Sequence, residues 1–225
     1  MLQSEIKAYK GNDITSLACD LLINELVPEL KQKKVSIIGA GNLGSKLALT
    51  LAERGADVYT SRRDQQGAII AQALNAILPR YSTGLIYNEN NIAESVKNAD
   101  ILIGFTQGFP VIDEAAVTTL AKHAHIVDSG IGTVKEAAIA TARRLAITII
   151  RLDVRIAFSY VIDAMLNTEY FMRHIAGTRV IEGKSYVAGG MIGEKNDIVV
   201  ADIRKPSEIV GIADGKGGML PPASS

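Results

Sequence analysis

A short apolar run near residue 35 leads directly into a glycine-rich loop. Residues 33–38 are rich in apolar and β-branched side chains and predict a buried strand. Residues 39–44 read Gly-Ala-Gly-Asn-Leu-Gly, and residues 42–55 have the pattern of a helix closed by Gly55. A strand, a Gly-x-Gly-x-x-Gly loop and a helix in this order predict a binding site for the pyrophosphate of a dinucleotide.

Each residue type in this loop has an expected task. Gly39 permits the tight turn, Gly41 lets the backbone approach a pyrophosphate, and Gly44 lets helix and strand pack closely. The backbone amides of Asn42 and Leu43, at the start of the helix, would face the anionic ligand. The alternative is a tight strand-to-helix turn that binds no ligand.

The end of the second predicted strand carries the residues that indicate which dinucleotide binds. An NAD site has a carboxylate about twenty residues past the first glycine. This chain has Ser61 there, followed by Arg62 and Arg63. A hydroxyl and a guanidinium can hold a ribose 2′-phosphate that a carboxylate would repel, so NADP is favoured over NAD. Asp64 comes one step too late for the ribose and is expected to cap the next helix. Two solvated surface arginines are the alternative.

Polar residues at the ends of later strands are the candidates for the reacting end of the site. Thr106 and Gln107 follow the fourth strand and are expected over the ribose and nicotinamide, while Asp128 follows the fifth. Each could equally be a turn former. Asp153 or Lys135 is a candidate for handling a proton, although an ion-pair set of Asp153 with its neighbouring arginines is the favoured interpretation. The catalytic candidates are therefore Asp128, Lys135 and Asp153.

The order of strand and helix patterns predicts an α/β fold. We expect a doubly wound, mostly parallel Rossmann-like sheet with a small β-rich C-terminal appendage, the latter antiparallel. The predicted segments are an N-terminal helical segment (1–32), the NAD(P)-binding domain (33–155), and a long helix with a β-rich extension (156–225).

Composition limits the classes of partner. The 225 residues carry 24 basic and 24 acidic side chains, so no global charge favours nucleic acid or a membrane surface. Charged residues interrupt every apolar window, so no membrane span is expected. The single cysteine, Cys19, lies in an apolar helical pattern and is expected in the core of a cytoplasmic protein. No cluster of metal ligands is visible, so no metal site is predicted.

Three stretches together resemble a known group of enzymes. Residues 36–64, "SIIGAGNLGSKLALTLAERGADVYTSRRD", resemble the NADP-binding domains of the shikimate dehydrogenase and amino-acid dehydrogenase groups. The "GND" of residues 11–13 and the helix, strand and long-helix order of residues 133–166 extend the resemblance over about residues 11–166. A poorer resemblance, in "Gly-Asn-Leu-Gly … Ser-Arg", is to short deazaflavin-dependent NADP reductases.

The resemblance implies an NADP-dependent oxidoreductase and also shows a departure. The shikimate dehydrogenase group carries a substrate domain before the helix that precedes the glycine loop, and its catalytic Lys and Asp have no counterpart here. We therefore expect an NADP-dependent dehydrogenase or reductase of a small polar metabolite, acting as a homodimer. The alternative is a non-catalytic NADP-binding subunit or redox sensor that needs a partner chain carrying a substrate domain.

Overall fold

The computed structural model describes residues 6–222. Residues 1–5 of the predicted N-terminal segment and residues 223–225 of the predicted C-terminal extension lie outside this range. The chain divides into two compact units, with the boundary between Ser159 and Tyr160. The finer division into segments 1–32, 33–155 and 156–225 stays a prediction.

The first unit contains a six-stranded sheet in which every neighbouring pair of strands is parallel. In space the order is β3-β2-β1-β4-β5-β6. The strands are β1 (Lys34–Ile38), β2 (Asp57–Ser61), β3 (Ile86–Asn88), β4 (Ile101–Gly104), β5 (His125–Asp128) and β6 (Thr148–Arg151). The helices are α1 (Gly11–Leu26), α2 (Asn42–Glu53), α3 (Gly67–Ile77), α4 (Ile92–Val96), α5 (Glu114–Thr118) and α6 (Glu136–Arg144). This order confirms the predicted doubly wound, Rossmann-like sheet.

Helices cover both faces of the sheet, so the strands are buried on both sides and carry apolar residues on both. Along β4, Ile101 and Ile103 face one core, while Leu102 between them faces the other. The first core is closed mainly by α1, α2 and α3, and the second by α5 and α6. A strand buried on both sides reads as a continuous apolar run, which is why β1 and β4 were recognisable in the sequence.

The second unit contains a mixed five-stranded sheet in the order β11-β10-β9-β8-β7. Its strands are β7 (Gly177–Ile181), β8 (Lys184–Ala188), β9 (Ile198–Val200), β10 (Ile209–Ala213) and β11 (Met219–Leu220). The expected β-rich appendage is present, but the expected antiparallel arrangement is wrong for one pair. β8 and β9 are parallel, with Tyr186 opposite Ile198, because the connection between them carries the chain back before β9 begins.

The long helix predicted ahead of this sheet is present as α7 (Arg155–Tyr170), which continues as a π-helical segment over Phe171–Ile175. The boundary between the two units falls within α7. Only Ala157 of α7 is buried. Among residues 6–222, no helix is both long enough and apolar enough to cross a membrane.

Cys19 lies on the buried face of α1 and is part of the first core, as the sequence predicted. Burial raises the pKa of its thiol to about 12, and its Sγ lies 3.5 Å from the Ser129 Oγ. We expect the native protein to react with a thiol reagent near pH 8 far more slowly than the unfolded protein, because the thiolate is the reactive form. Titration with Ellman's reagent, with and without guanidinium, measures this. Equal rates in the two conditions would contradict it.

Candidate nucleotide-binding site

A cavity of about 670 Å³ lies at the carboxyl ends of β1, β2 and β4. The strand order reverses between β1 and β4, which is where open α/β sheets bind ligands. Seven of the residues predicted for the cofactor line it: Gly39, Gly41, Ser61, Arg62, Arg63, Thr106 and Gln107. The other three, Asn42, Leu43 and Gly44, form the first turn of α2 beside the cavity and are not part of its lining.

Gly39 holds the turn that leaves β1. Its φ is +91°, and a Cβ added there would lie 2.7 Å from the Phe105 carbonyl oxygen. The Gly39 and Ala40 amides donate to the Ser61 carbonyl oxygen at 3.0 and 3.2 Å, which ties the loop to the end of β2. Glycine is therefore required at position 39 by both conformation and space.

The remainder of the loop is arranged for close approach of a ligand. A Cβ at Gly41 would meet no atom within 4 Å, whereas one at Gly44 would lie 3.0 Å from the Gly39 oxygen. Gly44 thus lets α2 pack on the loop, and Gly41 leaves open space. No side chain caps the start of α2. The first hydrogen bond of the helix runs from the Ser45 amide to the Gly41 carbonyl oxygen, at 2.9 Å. The amides of the first turn are therefore free for an anion.

Arg62 is held by the carboxylate of Asp64. Its Nε and Nη2 donate to the two carboxylate oxygens at 2.9 and 2.6 Å, and its Nη1 donates to the Ala40 carbonyl oxygen at 2.5 Å. This hydrogen bonding lowers the pKa of Asp64 and raises the pKa of Arg62. Asp64 also accepts from the Gln66 amide, but α3 starts later, at Gly67. The main contact of Asp64 is therefore with Arg62, a pairing that the sequence reasoning missed.

Arg63 lies over the aromatic ring of Phe109, in the loop after β4. Its guanidinium carbon is 4.9 Å from the centroid of the Phe109 ring, a cation–π contact between the end of β2 and the loop after β4. Phe109 was not among the predicted residues. The available signal was an aromatic side chain in a loop that follows a buried strand, at the functional edge of the sheet.

Ser61 lies where the sequence placed it, but its hydroxyl is already used. The side chain is 4% exposed, and its Oγ donates to the Glu89 carbonyl oxygen at 2.6 Å. A hydroxyl has one hydrogen to donate, so this arrangement leaves none for a phosphate. What Ser61 offers the cavity is the absence of a negative charge.

Thr106 and Gln107 form a tight turn at the end of β4. The Thr106 hydroxyl donates to the Phe109 carbonyl oxygen at 2.6 Å, and the Phe109 amide donates back to the Thr106 carbonyl at 3.1 Å. Gln107 and Gly108 have φ values of +50° and +81°. The Thr106 side chain therefore holds the shape of the loop, and Gln107 is exposed at the cavity wall.

Asp128, the first catalytic candidate, organises the loop that follows β5. Its carboxylate accepts from the Gly132 amide at 2.7 Å, the Thr133 amide at 3.3 Å and the Thr133 hydroxyl at 2.9 Å. It is 7% exposed and does not line the cavity. A carboxylate with both oxygens engaged by its own loop is a positioning group.

We expect Asp128→Ala to lower the free energy of unfolding by about 3 kcal/mol, because it leaves two buried donors, the amide and the hydroxyl of Thr133, unsatisfied. Chemical denaturation measures this. Asp153→Ala removes a half-exposed carboxylate that accepts from the Arg155 amide at the start of α7, and as the comparison variant it should lower the free energy of unfolding by no more than about 1 kcal/mol. Similar midpoints for both variants would contradict the role of Asp128.

Lys135 and Asp153, the other two catalytic candidates, pair with residues elsewhere in the chain and do not form a common site with Asp128. The Lys135 Nζ lies 3.5 Å from a carboxylate oxygen of Asp113. Asp153 pairs with Arg155 through three side-chain contacts and the Arg155 amide, and these hydrogen bonds lower its pKa. Neither residue lines the cavity. Asp153 thus pairs with one of the two arginines of the expected ion-pair set, Arg155. Residues 6–222 hold no group of three or more potential metal ligands.

The glycine loop and the strand order belong to a known family. A sequence model of the shikimate/quinate 5-dehydrogenase family matches residues 21–133, half of the chain. The chain belongs to this family. The match runs from within α1 to the loop after β5, and so includes the glycine loop, both arginines and the turn after β4. The family is, by its description, one of dehydrogenases.

Solved structures share the same fold at low sequence identity. A component chain of dipicolinate synthase from Bacillus halodurans matches with a TM-score of 0.50 and 14% identity, over 71% of this chain and 56% of that one. Phosphoglycerate oxidoreductase from Vibrio cholerae O395 matches with a TM-score of 0.50 and 11% identity, over 65% and 53%. This chain thus spans just over half the length of either. No curated protein sequence matches the chain.

Proposed function

We propose that the cavity binds NADP(H) and that the protein is an NADP-dependent dehydrogenase or reductase of a small polar metabolite. The observation that carries the proposal is the set of groups at the end of β2. Arg62 and Arg63 line the cavity beside the glycine loop. An NAD site has, at the end of β2, an acidic side chain that binds the ribose hydroxyls, and this chain has Ser61 at that position. Two guanidinium groups suit a phosphate, since each offers a planar fork of donors.

The residues of this chain fit the cofactor as follows. The open space at Gly41 and the free amides of Asn42 and Leu43 suit a pyrophosphate. Arg62 suits a 2′-phosphate, but Asp64 must release part of its fork. Because Asp64 competes with the phosphate for Arg62, the preference for NADP over NAD is expected to be smaller than it would be with an unpaired arginine. The bound cofactor would supply hydride transfer, while the chain binds and orients it.

A second candidate function is a non-catalytic NADP-binding subunit or redox sensor that requires a partner chain. The positions of the three acid–base candidates favour it. Asp128 is engaged by its own loop, Lys135 lies near Asp113, Asp153 pairs with Arg155, and none lines the cavity. The dipicolinate synthase chain of similar fold is, by its own name, one subunit of its enzyme. On this proposal the partner provides the substrate domain and the groups that handle the proton.

Fluorescence titration with NADPH and NADH, followed by a turnover assay, tests both functions. Under both, NADPH fluorescence changes on binding, and NADPH binds more tightly than NADH. Only the first function gives turnover with a panel of small carbonyl, imine and alcohol substrates and no added partner. Failure of both nucleotides to bind would exclude both functions, whereas tight NADPH binding without turnover would favour the second.

A further inference from the structure

The two arginines at the end of β2 differ in how their donors are used. Arg62 has three nitrogens engaged, Nε and Nη2 by Asp64 and Nη1 by the Ala40 carbonyl oxygen. Arg63 lines the same cavity, but in the part of the chain that the structure describes its side chain donates no hydrogen bond and pairs with no carboxylate. Its guanidinium instead lies over the ring of Phe109. The five N–H donors of Arg63 are therefore available to a ligand.

A contact with an aromatic ring and a contact with a carboxylate leave different parts of a guanidinium free. A carboxylate takes N–H donors from the edge of the fork, whereas a ring attracts the positive charge through its face. Phe109 can thus hold Arg63 in place without competing for the donors that a phosphate needs. Asp64 does compete for the donors of Arg62.

Phe109 is the fixed member of its pair with Arg63. Its carbonyl oxygen accepts from the Thr106 hydroxyl at 2.6 Å, and its amide donates to the Thr106 carbonyl oxygen at 3.1 Å. Pro110 follows directly and restricts the backbone of Phe109 to extended conformations. The Val111 amide then donates to the Thr133 carbonyl oxygen at 2.9 Å, which ties this loop to the loop after β5.

The Phe109 ring does not contribute to either core of the sheet. It is 56% exposed, so burial does not explain an aromatic side chain at this position. Arg63 is exposed too, and a long side chain that is free to move loses part of the binding free energy when a ligand immobilises it. A ring that already restrains the guanidinium reduces this loss. Because β1 lies between β2 and β4 in the sheet, the contact joins the loops on both sides of the glycine loop.

We propose that Phe109 is a positioning residue for the choice between NADP and NAD. Its ring holds the Arg63 guanidinium in the cavity with the donors free, and Arg63 held in this way provides the larger part of the selectivity for a ribose 2′-phosphate. Arg62 adds a smaller part, since it shares its donors with Asp64. This inference rests on the proposed function and names the residues that set its cofactor selectivity.

Single variants of the two arginines test how the selectivity is divided. Fluorescence titration gives the dissociation constants of NADPH and NADH, and their ratio is the preference for NADPH. We expect Arg63→Ala to lower this preference by about 30-fold and Arg62→Ala to lower it by about threefold, because only Arg63 has an unclaimed fork. A larger effect at Arg62 than at Arg63 would overturn the proposal.

Variants that keep or remove the ring test Phe109. Phe109→Leu keeps an apolar side chain without the aromatic face and should lower the preference for NADPH by about fivefold, the range of an exposed cation–π contact. Phe109→Tyr keeps the ring and should retain the wild-type preference. Tyr81→Leu is the matched control, because it removes an exposed ring that does not line the cavity, and it should leave both dissociation constants unchanged. Thermal unfolding checks that the variants fold.

The effect of Phe109 must act through Arg63. In an Arg63→Ala background, Phe109→Leu should therefore change the preference by no more than about twofold. Calorimetric titration with 2′,5′-ADP and 3′,5′-ADP, which carry equal charge, should repeat the pattern, since only the first has a 2′-phosphate. A fivefold effect that persists without Arg63 would overturn the proposal.

Failure of this inference can be told apart from failure of the proposed function. A wild type that prefers NADPH, with a Phe109→Leu variant that keeps this preference, would overturn the role of Phe109 alone. Equal weakening of NADPH and NADH in Phe109→Leu would do the same, because it would assign the ring to the shape of the loop. A wild type that binds neither nucleotide, or binds both alike, would overturn the NADP site itself and this inference with it.

Discussion

Replacing Arg62 and Arg63 together by alanine is expected to weaken NADPH binding by about 100-fold and NADH binding by no more than a few-fold. Two charge-assisted contacts to the 2′-phosphate would be lost, and NADH has no such phosphate. Fluorescence titration of both nucleotides measures the two dissociation constants. Their ratio is the quantity that tests the proposal, because a general disturbance of the cavity affects both constants alike.

A matched control is available on α6. Arg143→Ala with Arg144→Ala removes two adjacent exposed arginines far along the chain from the cavity residues, and it changes the net charge by the same amount. It should leave both dissociation constants within a few-fold of the wild type. Equal losses for NADPH and NADH in the Arg62 and Arg63 variant would exclude the assignment of these arginines to the 2′-phosphate.

Asp64→Asn should act in the opposite direction. The carboxylate engages the Nε and Nη2 of Arg62, so removing its charge frees the fork of donors that a phosphate needs. We expect NADPH to bind about three- to tenfold more tightly, with little change for NADH. Unchanged or weaker NADPH binding would mean that Asp64 supports the site by positioning Arg62.

The second large effect is expected at two glycines of the same loop, which should respond differently. Gly41→Val adds atoms to open space at a φ of −80°, so the variant should fold normally. Its side chain would occupy the path of the pyrophosphate, and we expect NADPH and NADH to be weakened alike, by about 100-fold or more. Thermal unfolding and nucleotide titration separate the two properties.

Gly39→Val is the contrasting variant. The added Cβ would lie 2.7 Å from the Phe105 carbonyl oxygen at a φ of +91°, and both the contact and the conformation are unfavourable. We expect the free energy of unfolding to fall by about 3 kcal/mol or more. Normal nucleotide binding by Gly41→Val would remove the glycine loop from the site, whereas normal stability of Gly39→Val would contradict the strained turn.

The sequence predicted the sheet and the glycine loop because their signals are local. The apolar run before Gly39, the glycine spacing and the helical pattern after Asn42 lie within some twenty residues. The same holds for the arginines, whose place depends only on where β2 ends. Where strands must pair over a distance, the prediction was poorer. The parallel contact of β8 with β9 depends on the path of the connection, which no local pattern specifies.

Local patterns in the chain were enough to establish a Rossmann-like domain with two arginines at the nucleotide edge. How the polar groups are used became visible only in the folded molecule. The Ser61 hydroxyl is engaged by Glu89, twenty-eight residues away, and the fork of Arg62 by Asp64. Asp128, a catalytic candidate by position, holds its own loop. The physical reason is that a hydrogen bond depends on distance and direction to a particular partner, whereas a buried strand needs only apolar side chains in sequence.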